Sequence, residues 1–186
     1  MNQCEWCGTG EAKIHLTGET SSNVCNHCYN ALMSEELGIE VEQLMESFTM
    51  KDDEGNLRTF HVEMRIQPIG ICLEAKENKG LGYQFAIHGE LDDSQSDLLK
   101  RLIEKVRNGI QEKQIETGTF QNGQVFHSMI HDQVVGRVEF DEASDGLPLV
   151  IIDGKPYTWE EVGKMLMTYE GFQFKLKMYD MTDDVD

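Results

Sequence analysis

Four of the five cysteines, Cys4, Cys7, Cys25 and Cys28, form the pattern C-x2-C-x17-C-x2-C. Two residues between cysteines allow a tight turn that aims both sulfurs at one point. Two such turns supply four thiolates, a donor set that suits tetrahedral zinc. Gly8, directly after Cys7, supplies backbone free to take a positive φ at the first knuckle. Four cysteine ligands leave no open coordination position, so the expected cofactor is one structural Zn2+ and not a catalytic one. Disulfides would need an oxidising compartment, and oxidation of the thiolates with release of the metal stays open as a redox alternative. His15 and His27 lie nearby in sequence, but the shell is complete without them, and His27 is expected to point outward.

Local elements must carry these sulfurs. AKIHL and SNVC read as a short hairpin between the two cysteine pairs. Tyr29, Leu32 and Met33 recur at helical spacing and Gly38 reads as a helix stop, so Cys25 and Cys28 fall at a helix start. Unpaired N–H groups there favour thiolate. Knuckle, hairpin and helix-borne ligands together resemble the treble-clef and zinc-ribbon modules over residues 1–38. The resemblance implies a structural metal on Cys4, Cys7, Cys25 and Cys28 and no activity. The order of the whole chain, including the closing YEGFQFKL, is similar to uncharacterised bacterial proteins with an N-terminal cysteine knuckle, which implies a bacterial origin. A module this small buries little apolar surface, so the metal is expected to supply most of its folding free energy.

Histidines offer the other chemistry. In FHSMIHD, His127 and His131 are four apart and share a face, with Asp132 as a third metal-ligand type. Ser128 stands where a zinc-protease helix would carry glutamate, so the HExxH pattern is absent. A hydrolase-type site around His127, His131 and Asp132 is the enzymatic alternative. No P-loop, GxGxxG or GxSxG motif is present. His61 reads as a solvated strand residue and Cys72 as a spare structural thiol. The pattern favours an interaction or regulatory protein over an enzyme.

The charge balance narrows the partners. Against 16 basic side chains stand 34 acidic ones, a net of −18. Such a field repels nucleic acid and anionic membrane surfaces. Among residues 1–50, Lys13 is the only cation against eight glutamates. The cluster Lys100, Arg101, Lys105 and Arg107 reads as the solvated face of a helix. The expected partner is a protein with a basic surface; mimicry of nucleic acid by arrayed carboxylates is the alternative. No apolar run approaches the roughly 18 residues that span a bilayer. MNQCEW lacks the basic and apolar regions of a signal peptide, and a cytoplasmic location is expected.

Behind the module, residues 46–179 read as an α+β domain. A meander of about four antiparallel strands is expected over 46–90. Phe60, Val62, Met64 and Ile66 share one face, as do Ile69, Ile71, Leu73 and Ala75, then Leu81, Tyr83, Phe85 and Ile87. A helix is expected over 94–116, with Leu98, Leu99, Leu102, Ile103, Val106 and Ile110 as its apolar stripe. A β-β-α-β arrangement follows over 125–179. Asp153-Gly154 is its hairpin turn, and Thr158 and Glu161 form a capping box. Trp159, Val162, Met165, Leu166 and Tyr169 are expected on the buried side of a helix stopping at Gly171, and Phe172, Phe174, Leu176 and Met178 on a half-buried strand. The acidic tail 180–186 is expected to fray.

Overall fold

The computed structural model describes residues 3–18, 21–144 and 146–185. Met1, Asn2, Glu19 and Thr20 of the expected zinc module, Asp145 of the ASDGLP loop and Asp186 of the tail lie outside them. The fold is α+β: antiparallel sheets with three α-helices.

The N-terminal hairpin pairs β1 (Ile14–Leu16) with β2 (Ser22–Val24), and α1 (Asn26–Leu37) follows at once. The Cys25 sulfur caps the helix by accepting from the N–H of Cys28, and Gly38 closes it at φ 68°. Cys4, Val24 and Cys25 form a small core of their own.

The largest core lies between a four-stranded sheet and one helix. Its strands run in chain order: β3 (Ser47–Lys51), β4 (Leu57–Gln67), β5 (Gly70–Glu77) and β6 (Gln84–Gly89). Phe60, Ile71, Leu73, Ala75 and Ile87 face α2 (Gln95–Gln111), whose Leu98, Leu99, Leu102, Val106 and Ile110 are buried against them. The strand and helix periodicities thus meet face to face, and burial of this apolar area is the main stabilising term of the unit. Two expected members of the stripes are exposed. Ile69 sits in the β4–β5 turn and Leu81 in the turn before β6. A two-fold period continues through a turn on paper, but a turn residue has no sheet face.

Helix α2 ends at Gln111, short of residue 116, because the chain is caught by a side chain distant in sequence. The Asp153 carboxylate accepts the N–H groups of Gln114, at 3.0 Å, and Ile115, at 2.9 Å. Ile115 then opens β7 (Ile115–Thr119), paired with β8 (Val125–Met129).

A second small sheet has the order β11-β10-β9, from β9 (Arg137–Glu139), β10 (Leu149–Ile152) and β11 (Lys155–Tyr157). The capping box opens α3 (Trp159–Leu166), and a 3-10 turn, Met167–Tyr169, ends it. Ile115, Ile152, Tyr157 and Met165 form the local core, with Val162 packed on it. Trp159 and Leu166 are exposed, contrary to the expected stripe, because α3 meets its sheet along little more than the line of Met165. Residues 172–178 form no strand: Phe172, Phe174, Leu176 and Met178 are all exposed. Alternation specifies two faces, but a strand also needs a neighbour to pair with. The tail beyond it is docked where fraying was expected. Lys105 Nζ donates to the carbonyls of Thr182, at 3.2 Å, and Asp183, at 2.6 Å. Lys105 is thereby drawn out of the solvated cluster on α2.

Candidate metal centre

The first knuckle closes through its backbone. Cys4 N–H donates to the Gly10 carbonyl at 2.8 Å, and Gly8 N–H donates to the Cys4 carbonyl at 2.9 Å, with Gly8 at φ 69°. A Cβ on Gly10 would stand 2.8 Å from the Cys25 sulfur, so the two knuckles approach at a contact only glycine permits. The hairpin then brings the second pair in. Glu5 N–H donates to the Asn23 carbonyl at 2.9 Å, and the Glu5 carboxylate receives the Asn23 N–H and amide, each at 3.1 Å.

These contacts place the sulfurs of Cys4, Cys7, Cys25 and Cys28 all within 4.8 Å of one another. The Cys7 and Cys25 sulfurs are 3.8 Å apart. With Zn–S bonds near 2.3 Å, the edges of a tetrahedron are about 3.8 Å, so the spacing fits a single ion of zinc size held by all four. Soft thiolate donors alone, with no carboxylate among them, suit zinc over the hard cations. Cys4 and Cys25 are buried, while Cys7 is exposed, so the cluster sits at the surface with one wall open to solvent.

The environments of the sulfurs differ. The Thr9 hydroxyl, at 3.4 Å, and the Gly10 N–H, at 3.4 Å, both donate to Cys7. They bring its thiol down to about 5. Burial pushes Cys28 up to about 12, with the neighbouring sulfurs of Cys25, Cys7 and Cys4 adding to it. Burial also acts to raise Cys4, but the backbone N–H groups around it outweigh that and lower it. Cys7 thus ionises ahead of Cys28, and a tetrathiolate state needs a cation at its centre.

The module is sewn to the sheet by two sets of contacts. Buried Asn30 donates its amide to the Met64 carbonyl at 2.7 Å and accepts the Ile66 N–H at 3.0 Å. Asn26 also donates to Met64. Beyond α1, Gln95 holds the connecting segment through the Glu42 N–H and the Glu40 carbonyl, each at 2.8 Å. The Glu42 carboxylate returns to cap α2 at the Gln95 N–H, 3.0 Å away, and the Ser96 N–H, 3.1 Å away. Sequence reasoning missed Asn30 and Gln95, and read Asp153 only as a turn residue. A polar residue at a core-facing helix position was the only signal for Asn30.

The histidine constellation is not assembled. His127, half-buried on β8, bonds the Thr117 hydroxyl at 3.0 Å and packs edge-on against Tyr157. His131 and Asp132 are exposed beyond the end of the strand, and the His131 carbonyl accepts from Tyr169. Among the described residues, the cysteine tetrad is the one group of ligand-type side chains close enough for a metal. His15 and His27 are exposed, and Cys72 is half-buried on the sheet face away from α2. No described helix is long and apolar enough to cross a membrane.

Three family models match successive stretches of the chain. A domain of unknown function (DUF7685) matches residues 3–40, a second (DUF7686) residues 42–111 and a third (DUF7713) residues 114–183. The first stretch holds all four cysteines, the second the large sheet with α2, and the third the two small sheets with α3. No curated protein and no solved structure matches the chain.

Proposed function

We propose that this chain is a zinc-stapled interaction protein of the cytoplasm, whose N-terminal module recognises a protein with a basic surface. One observation carries the reading: four sulfurs within 4.8 Å of one another, with no other ligand type beside them. Such a set saturates one Zn2+, leaving no position for substrate, so the ion's role is to hold the knuckles in shape. A reducing compartment keeps the thiolates free to bind it.

What the ion shapes is a rigid, acidic knob. Trp6 stands exposed in the first knuckle, with Glu5 and Glu11 exposed near it in sequence. A large aromatic held by a stiff turn loses little entropy on binding, and its face attracts lysine or arginine. The net charge of −18 steers a basic partner toward it.

The test is affinity capture from the cognate cell extract with the zinc-loaded chain, at low and at raised salt. A partner retained at low salt, reduced at high salt and lost with Trp6→Ala supports the reading. Capture that ignores both salt and Trp6 contradicts it. Displacement of a nucleic-acid-binding protein by added DNA would assign the acidic surface to mimicry instead.

A further inference from the structure

The face of the large sheet turned away from α2 carries polar side chains in two adjoining rows. Strand register sets Arg65, Cys72 and His88 side by side across β4, β5 and β6. Two residues along, about 6.7 Å, Glu63 stands directly opposite Glu74. Like charges directly opposed in a sheet destabilise it, so this pair calls for a cationic group close by. Lys13 meets Glu63, and Lys76 meets Glu74 at 2.7 Å, but neither lysine lines the hollow between the rows.

That hollow is a cavity of about 130 Å3, its wall completed by Asn26 from the start of α1 and Thr182 from the docked tail. By liquid volume it holds about four waters, or one small organic molecule. Among the described residues, two buried side-chain atoms have no hydrogen-bond partner, Asn26 Oδ1 and His88 Nε2, and both residues line this one cavity. Buried polar atoms are nearly always paired, so each of the two asks for a partner. The Asn26 amide nitrogen donates to the Met64 carbonyl at 2.6 Å, which leaves Oδ1 as the free end. Arg65 has no ion-pair partner among the described residues. Burial and the Glu74 carboxylate push the Cys72 thiol up, so the floor between Arg65 and His88 is an uncharged sulfur and not a nucleophile.

The donors and acceptors select the ligand. Asn26 Oδ1 and the two carboxylates only accept, so one part of the ligand must donate, and a cationic group does so best. Arg65 only donates, so another part must be anionic. A simple anion would face Glu63 and Glu74, and a simple cation would face Arg65. A divalent metal has no cage here, since no three ligand atoms of the described residues outside the cysteine tetrad lie close enough together. A zwitterion answers both rows at once. We propose that this cavity binds a free α-amino acid with a short side chain, its ammonium held by Glu63, Glu74 and Asn26 Oδ1 and its carboxylate by Arg65 and His88 Nε2.

Amide NMR of the full zinc-loaded chain, titrated with glycine, L-alanine and L-serine to about 50 mM, tests this. The expected result is a saturable set of shifts gathered at residues 63–67, 72–74 and 86–88, with a Kd of about 1 mM or below for at least one of these amino acids. Methylammonium, acetate and inorganic phosphate each carry only one kind of charge and should bind at least about tenfold more weakly. Arg65→Gln should weaken the amino acid at least about tenfold and leave the melting temperature of the ligand-free chain unchanged, because the side chain is exposed and bears no ion pair. Glu74→Gln serves where the arginine variant fails to fold, and should weaken binding alike. No saturable shift up to about 50 mM would leave the cavity to water and overturn the proposal. So would acetate or phosphate binding as tightly as the amino acids, or an affinity indifferent to both variants.

Discussion

Asn30 holds Ile66 as a neighbouring strand would. Its Oδ1 accepts the Ile66 N–H at 3.0 Å, and its Nδ2 donates to the Met64 carbonyl, two residues back, at 2.7 Å. Strand β3 pairs with β4 only as far as His61, so the edge beyond would be bare. The Asn30 amide, with Asn26 of α1 on the same Met64 carbonyl, satisfies that edge and docks the cysteine module in the same contact.

Replacing Asn30 with Ala should cost about 1–3 kcal/mol, since it removes two hydrogen bonds and leaves the buried Ile66 N–H without a partner, while the Met64 carbonyl keeps Asn26. Urea unfolding of the zinc-loaded chain measures it. A loss below about 0.5 kcal/mol, the size of an ordinary surface change, would show that the amide does not hold the module.

Serine at Cys4 or Cys25 should abolish the bound ion, taking elemental analysis from one zinc per chain to none. The amide resonances of residues 3–38 should collapse while those of the large sheet persist. The two units have separate cores, and only the first contains the cysteine tetrad.

Zinc affinity should rise with pH. Burial and the other sulfurs push the Cys28 thiol up to about 12, so at neutral pH the metal-free cluster keeps that proton and the ion must expel it. One proton released corresponds to about tenfold in affinity per pH unit. Calorimetry in buffers of different ionisation enthalpy counts the protons, and a count of zero would contradict the assignment of Cys28 as a ligand.

Acid should unlock the β3–β4 turn through Asp52. Burial acts to raise this carboxyl, but the Arg58 guanidinium at 2.9 Å and the Asn56 N–H at 2.8 Å outweigh it and hold it below the usual range. A lowered folded value means that its contribution is complete above the unfolded value, about 3.9, and lost as pH falls through the folded one. Asp52→Asn should cost about 2–4 kcal/mol at pH 7, because Arg58, bonded also to Glu77 at 2.9 Å, loses half its compensation. It should also flatten the acid limb of the stability profile, and an unchanged limb would exclude Asp52 as its source.

Alanine at Gly154 should destabilise the chain by about 1–3 kcal/mol. Its φ is 64°, and a Cβ would stand 2.6 Å from the Tyr83 ring, where the β10–β11 turn rests on the large sheet. By contrast, His127→Ala should leave metal content unchanged and stability within about 1 kcal/mol, as expected of a half-buried side chain outside any ligand cluster. Thermal melts of both variants decide the contrast.

Much of this was legible in one dimension because its causes are local. Two residues between Cys4 and Cys7 dictate a knuckle whatever surrounds it. Thr158 and Glu161 cap a helix with their own side chains, and Leu98, Leu102 and Val106 share a face through helical geometry alone. Periodicity likewise marked Phe60 and Leu73 as core. What chain order leaves open is which partner meets each surface. Asp153 ends α2 from some forty residues downstream. Asn30 finds an edge more than thirty residues away. Lys105 captures the tail, and Phe174, alternating as faithfully as any core strand, is left exposed with no pairing strand among the described residues. Spacing can specify a face, because a residue's direction follows from its own backbone. It cannot specify a contact, because that depends on where another segment comes to rest.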